Sequence, residues 1–495
     1  MAKELLQQAN TQGDTIALDD FASLLQKEFK PGTDDRSNRI EQAVQTLAQQ
    51  ALSDAAVIGQ DVFATVDAMV SALDRKLSEQ VNLILHHPDL QALESAWRGL
   101  AYLVYNTSTG KDLKINVLNI GKEETRKVFR EYRDSKWDQS PLFKKIYEAE
   151  FGQLGGEPYG AFVCDYQFDH SAPDLEVLRG LAKIGAAAHA PLISSASPQL
   201  MGMQSWQELS NPRDIAKLFT TGDYAGWRSF RQSQDSRYVA LTAPRFLGRA
   251  TYGAKSNPVD EFDFEEETGG DHDKHLWVNS AYGMGVRITE AFKEFGWCTR
   301  IRGVESGGTV EGLPTATFPT DEGGVDMKCP TEIAISDRRE AELAKAGLLA
   351  LIHRKNTDEA TFIGAQTCYQ PKSYDDPAAT ASENLSARLP YIFASCRFAH
   401  YLKCMVRDWV GGTREAPQLT YDLNRWIAQF IDGNPESSTE QDKAKMPLKG
   451  ASIEVIPDEE NPGFYRGKFL FVPHYQLEGM DVSLSMVSRL PGAGT

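Results

Sequence analysis

GAFVCDYQFDHSAPDLEVLRGLAKIGAAAHAPLISSA, residues 160–196, places two apolar runs of strand length on either side of a helical one. GAFVCDYQF and PLISSA read as strands, and DLEVLRGLAKIGAAAHA between them reads as a helix. Two strands joined by a helix of that length make a crossover unit, so this stretch predicts a mixed or parallel sheet flanked by helices, an α/β (α+β mixed) fold.

The alternation continues outward. Upstream, LKINVLNI (113–120) reads as a strand, and EETRKVFREYR and PLFKKIYEAEF read as helices. Before them an apolar stripe of Val66, Val70, Leu73, Leu77, Val81 and Leu85 marks a helix from Val62 to Leu85, which His86-His87-Pro88 ends. LQALESAWRGLAYLVYN then opens a helix with Leu90, Leu93, Trp97, Leu100 and Val104 on one face. Downstream come short helices at DIAKLF and YAGWRSFRQ and a strand at YVALTAPRFL. An acidic stretch follows, NPVDEFDFEEETGGDHDKH (257–275), with the composition of a solvated loop. WVNSAYGMGVRITEAFKEFG, RREAELAKAGLLALIHRK, LSARLPYIFASCRFAHYLKCMVRDWVGG and LTYDLNRWIAQFIDG each read as a helix; Pro390 sits near the start of the third, where it is tolerated.

Three strands close the chain: SIEVI, YRGKFLFV and GMDVSLSMV, with PDEENPG and PHYQLEG as turns. In the second lie Phe469 and Phe471; in the third, Met480, Val482, Leu484 and Met486 share a face opposite Asp481, Ser483 and Ser485. Strands so placed need further strands or a covering helix. At the other terminus, TIALDDFASLLQKEFKPG makes an amphipathic helix with Leu18, Phe21, Leu24, Leu25 and Phe29, followed by the linker-like PGTDDRSN. That helix either docks on its own domain or is a tethered recognition element of the helix-in-groove type. The organisation expected is an N-terminal helical segment and linker at 1–60, a body at 61–445 and C-terminal strands at 446–495.

Composition narrows the function. A net charge of −17, from 69 acidic and 52 basic residues in 495, repels nucleic acid on average and suits a protein partner. Six cysteines form no CxxC pair, as expected of buried thiols in a reducing compartment. There is no signal-peptide core and no apolar run of about 18 residues, so the expectation is a cytoplasmic protein without direct membrane insertion.

The chemical motifs fall short. GRATYGAKS (Gly248–Ser256) departs from a phosphate loop because Ala254 separates the second glycine from Lys255, and acidic residues follow where a helix should open. HDKH (His272–His275) has two possible metal ligands without an identifiable third. Cys396, His400 and Cys404 fall at i, i+4 and i+8 on a helix face crowded by Phe393, Arg397 and Tyr401, which reads as packed core. GVESGGTVEG (303–312) is neither a nucleophile elbow nor a dinucleotide turn, and its glycines suit tight turns. No cofactor and no catalytic set is expected; the alternative is a soluble α/β enzyme using phosphate or metal at Gly248–Ser256 or His272–His275.

LILHHPDLQALESAWRGLAYLVYN, PRFLGRATYG, GWCTRIRGVESGGTVEGLPTATFPTDEGGVDMKCPTEIAISDRREAELAKAGLLALIHRKN, LPYIFASCRFAHYLKCMVRDWVG and FVPHYQLEGMDVSLSMVSRLP together resemble the large subunit of the type VI secretion contractile sheath, the TssC/VipB family. The resemblance spans roughly residues 60–490 and implies a structural protein. It implies co-polymerisation with a small sheath subunit (TssB/VipA) and neighbouring copies around an Hcp tube, assembly on a baseplate, and disassembly by the AAA+ unfoldase ClpV. It further implies that the C-terminal strands join an inter-subunit sheet and that the helix of Leu18, Phe21, Leu24, Leu25 and Phe29 is the unfoldase handle.

Overall fold

The computed structural model describes residues 62–476, apart from 212–213, 255, 261, 320–323 and 459–463. The N-terminal helix with Leu18 to Phe29 and the third C-terminal strand with Met480 to Met486 lie outside the described residues. The chain divides into two compact units, one of residues 1–91 with 250–275 and one of 92–249 with 276–495.

In the first unit helix α1 (Val62–Leu85) has the bounds that its apolar stripe predicts. Asn82 near its end acts as a piece of backbone: its Oδ1 accepts from Glu267 N at 2.9 Å and its Nδ2 donates to Glu265 O at 3.1 Å. This orders the acidic stretch, and the solvated-loop expectation needs correction there. Phe264, Glu266, His272 and His275 are all buried, because the segment carries its own apolar residue and fixes its carboxylates locally.

The second unit is built on a six-stranded sheet of order β1-β2-β3-β9-β10-β6. Helix α2 (Pro88–Tyr105) and helix α3 (Lys122–Glu131) precede β1 (Phe162–Phe168). Helix α4 (Ala172–Ala188) crosses to β2 (Leu192–Ala196), and α5 (Ala225–Arg231) leads into β3 (Val239–Ala243). After the two-residue strands β4 (Phe246–Leu247) and β5 (Trp277–Val278) come α6 (Ala281–Phe295) and β6 (Thr309–Val310). The hairpin of β7 (Ala316–Pro319) and β8 (Val325–Lys328) and then α7 (Asp337–Lys345) lead to β9 (Leu348–His353) and β10 (Ala360–Phe362). Helices α8 (Leu389–Trp409) and α9 (Ala416–Ile427) precede β11 (Leu448–Pro457) and β12 (Tyr465–Pro473).

Strands β1, β2, β3 and β9 run parallel, and β10 and β6 add antiparallel, so the sheet is mixed as the crossover pattern predicts. Strict alternation sorts its side chains into two layers. Leu192, Val239, Leu241, Leu348 and Ala350 pack with α4, Trp206, Trp227 and Phe230 on one face. Ile193, Ala240, Leu349 and Leu351 pack with α6, Phe246 and Phe362 on the other. Two glycines let helices close in: a Cβ on Gly180 would meet the Phe129 ring at 2.5 Å, and one on Gly99 would meet Tyr282 at 2.3 Å.

Three local readings are corrected. RREAELAKAGLLALIHRK is a helix followed by a central strand; Gly347, at φ 83°, ends α7, and LLALI is buried from both faces. A continuous apolar run of that kind fits a buried helix as well as a buried strand, which is why periodicity alone misreads it. LKINVLNI forms no regular element and joins no ladder among the described residues. On α2 the predicted apolar face is largely exposed, with Leu93 at 55% and Trp97 at 66%, while Gly99 and Leu103 are the buried positions.

Candidate functional site

Strands β11 and β12 form a two-stranded antiparallel sheet of their own, paired from Leu448 opposite Pro473 to Pro457 opposite Tyr465. Such a hairpin is marginal unless something holds one face. Here the body end is anchored: Leu448 and Ile453 are buried with Trp297, Phe398, Leu402, Leu423 and Ile427. Phe471 stacks on Phe398 with ring centroids 5.2 Å apart. His474, just beyond β12, donates from Nε2 to Met446 O at 3.1 Å. Toward the turn the strands leave the body, and Ile456, Phe464, Phe469 and Leu470 are exposed.

The two edges differ. Along the outer side of β11, α9 supplies the missing partners: Asn424 Oδ1 accepts from Ile453 N at 3.0 Å, Asn424 Nδ2 donates to Ile453 O at 2.6 Å, and Thr420 Oγ1 accepts from Val455 N at 3.1 Å. That edge is sealed. Ile453 stands opposite Phe469, and since both backbone groups of Ile453 turn away from β12, this is a non-hydrogen-bonded pair in which Phe469 turns its N–H and C=O outward as well. The same parity turns the backbone of Gly467 and Phe471 outward. No described strand pairs with that side of β12. It is an edge ready for strand addition.

Of the expected strand residues, Phe469 therefore lies on the open strand with its side chain exposed, whereas Phe471 is half-buried and holds the strand to the body. Thr420 and Asn424 were not singled out by sequence. Their signal is two polar residues at i and i+4 beside the buried Leu423 and Ile427, a place where a polar side chain needs a specific partner.

The motifs weighed for chemistry are otherwise occupied. In Gly248–Ser256 no helix opens; Ala254 N donates to the Glu265 carboxylate at 3.1 Å, which fills with negative charge the place a phosphate would need, and Lys255 lies outside the described residues. His272 and His275 are buried in a single turn, and among the described residues no cluster of three or more His, Cys, Asp and Glu could hold a metal. His400 Nε2 bonds Ala188 O at 2.8 Å, and burial, aided by His189, Arg397 and Lys403, pulls its pKa down to about 4. Burial pushes the Cys298 and Cys368 thiols up to about 12, far from a thiolate nucleophile at neutral pH. The glycines of GVESGGTVEG do serve turns, with Gly303, Gly307 and Gly312 at positive φ. No helix among the described residues is long and apolar enough to cross a membrane.

Comparison with known proteins decides what carries this edge. Residues 67–369 match the model of the EvpB/VC_A0108 tail sheath N-terminal domain, and residues 378–490 match that of the EvpB/VC_A0108 tail sheath gpW/gp25-like domain. The chain belongs to the VipB family of type VI secretion sheath large subunits.

The type VI secretion system sheath protein TssC1 of Pseudomonas aeruginosa is 60% identical over 486 residues, 98% of each chain. Structures of the anti-feeding prophage baseplate and of its contracted helical sheath align with TM-scores of 0.34 and 0.30, at 11% and 12% identity, over 64% and 63% of this chain and 67% and 66% of theirs. Among the described residues, the β11 edge is closed by side chains of α9 and the outer side of β12 has no strand beside it.

Proposed function

We propose that this sheath subunit co-polymerises with the small sheath subunit (TssB/VipA) and with its own copies around an Hcp tube, and that the outer edge of β12 is where a neighbour's strand adds. The observation that carries the reading is the asymmetry of the hairpin, with α9 satisfying β11 while the backbone of Gly467, Phe469 and Phe471 on β12 faces outward. Each junction needs only modest strength, because a sheath repeats it many times. Contraction then draws on the difference between two packings of the same subunits, and drives the tube outward from a baseplate.

The role is structural rather than catalytic, without a cofactor, and exercised in the cytoplasm. The division into a helical segment at 1–60, a body at 61–445 and junction strands at 446–495 belongs to this proposal. So does the reading of Met480, Val482, Leu484 and Met486 as the apolar face of the exchanged strand. Leu18, Phe21, Leu24, Leu25 and Phe29 are proposed as the face that the unfoldase ClpV grips.

Co-expression with the small sheath subunit, followed by electron microscopy, tests the reading. Hollow tubules are expected. Discrete particles alone, together with a nucleotide hydrolysis activity that Lys255→Ala abolishes, would overturn it in favour of an enzyme.

A further inference from the structure

The net charge of −17 is unevenly spread. Residues 111–145 hold ten lysines and arginines against six acidic residues, whereas residues 257–275 hold eight acidic residues against one lysine. The basic excess gathers on α3. Arg126 and Arg130 lie one turn apart, Arg133 follows just beyond the helix end, and all three turn toward the single carboxylate of Glu176 on α4. Arg130 Nε reaches it at 3.1 Å, Arg133 Nη2 at 2.5 Å and Arg126 Nε at 3.7 Å. Arg126 alone has a further carboxylate, Glu123, at 3.1 Å. Each guanidinium carries five N–H donors, so one carboxylate leaves most of them unused. The Arg130 and Arg133 side chains are 50% and 58% exposed, and the ladder faces water with positive charge to spare. Its base is fixed: Phe129 is buried against α4, and Lys122 Nζ donates to Asp174 at 2.7 Å.

The acidic stretch is fixed too. Phe262 is half-buried and Phe264 and Glu266 are buried, while Asp263, Glu265 and Glu267 between and beyond them are exposed. Glu266 N donates to Tyr252 O at 3.0 Å, and Asn82 holds Glu265 O and Glu267 N. Three carboxylates thus form a ridge on an anchored backbone. Neither Asp263 nor Glu267 has a cationic partner among the described residues.

We propose that the ladder of Arg126, Arg130 and Arg133 on one copy receives the ridge of Asp263, Glu265 and Glu267 on a second copy of this chain. Charge complementarity selects that occupant: the ladder needs carboxylates, and 257–275 is the densest run of them in the sequence. Arginine suits the task because its planar fork can hold one carboxylate and still offer donors to another. The two patches are different surfaces, so each copy gives one half of the contact and takes the other. Such a heterologous contact leaves a free half on every pair and propagates along a helical array. Both patches are exposed, so the contact weakens as salt rises. The proposal deepens the sheath reading and rests on it, as a copy-to-copy contact separate from the β12 edge.

The test uses two charge-reversed full chains, each co-expressed with the small sheath subunit. One carries Arg130→Glu with Arg133→Glu, the other Asp263→Lys with Glu267→Lys; all four positions are exposed. Each alone should lower tubule yield at least tenfold, while the soluble complex with the small subunit is recovered as for the parent. Expressed together, the two reversed chains should restore tubules to within about twofold of the parent, because each ridge then meets a ladder of opposite charge. Arg130→Gln with Arg133→Gln keeps donors for Glu176 without the charge, and so separates loss of charge from misfolding. It should lower the yield by a smaller factor and flatten its dependence on salt. Parental yield from the reversed ladder, or an unchanged salt dependence in the Gln pair, would overturn the contact while leaving the sheath reading intact. Loss with the reversed ladder but not with the reversed ridge, or loss that the mixture does not restore, would overturn the second copy as occupant. Parent chains that form no tubules would overturn the sheath reading, and this contact with it.

Discussion

The side-chain amide of Asn424 takes both backbone groups of Ile453, accepting from its N–H at 3.0 Å and donating to its C=O at 2.6 Å. One residue of α9 thereby closes the centre of the β11 edge and holds the hairpin on the body. Asn424→Ala leaves an N–H and a C=O without partners beside a buried strand residue, a loss of about 2 kcal/mol. Chemical denaturation should register this, and the β11 amides should exchange faster. Unchanged stability would mean that α9 does not hold the hairpin.

Phe469 and Phe471 should separate under substitution. Phe471→Ala removes the ring stacked on the fully buried Phe398, so a stability loss of about 2–3 kcal/mol is expected, below the range for a fully buried ring. Phe469 is 41% exposed, and its truncation should cost about 1 kcal/mol or less while reducing tubule yield in co-expression. The reverse pattern would place the junction face on the wrong side of the strand.

Gly99→Ala forces a Cβ to 2.3 Å from the Tyr282 ring between α2 and α6. Overpacking there should cost about 1–3 kcal/mol in thermal unfolding, whereas Gly110→Ala, with open space around it, should be close to neutral.

Acid should weaken the fold through His400. Its folded pKa, about 4, lies below the ~6.5 of an unfolded histidine, so as pH falls the unfolded chain takes up the proton first. The contribution is full above pH ~6.5, declines as pH falls toward 4, and changes no further below, for about 3 kcal/mol in all. His400→Gln keeps a donor for Ala188 O without the titration. Denaturation curves from pH 7 to 4 should therefore be flatter for this variant than for the parent.

Much of this architecture is legible in the chain, and the exceptions have physical causes. The bounds of α1, the β1–α4–β2 crossover and the register-ready alternation of β11 and β12 follow from local periodicity. LLALI at β9 does not, because a strand buried on both faces lacks the alternation that identifies strands. The apolar stripe of α2 misleads for the opposite reason: Leu93 and Trp97 are exposed, and the close approach runs through Gly99, which carries no hydrophobic signal at all. LKINVLNI has the pattern of a strand but no strand partner among the described residues. The β11–β12 hairpin is legible as strands; the difference between its two edges is not, since Asn424 and Ile453 are 29 residues apart and nothing local links them.

The central claim, that the outer edge of β12 accepts a neighbour's strand, is tested most directly by residue-resolved hydrogen exchange on the free chain and on tubules assembled with the small sheath subunit. In the free chain the amides of Gly467, Phe469 and Phe471 should exchange fast and those of Lys468 and Leu470, which face β11, slowly. Assembly should slow the first three selectively, erasing the alternation along β12. Tubules in which Gly467, Phe469 and Phe471 still exchange at the free-chain rate would contradict the account.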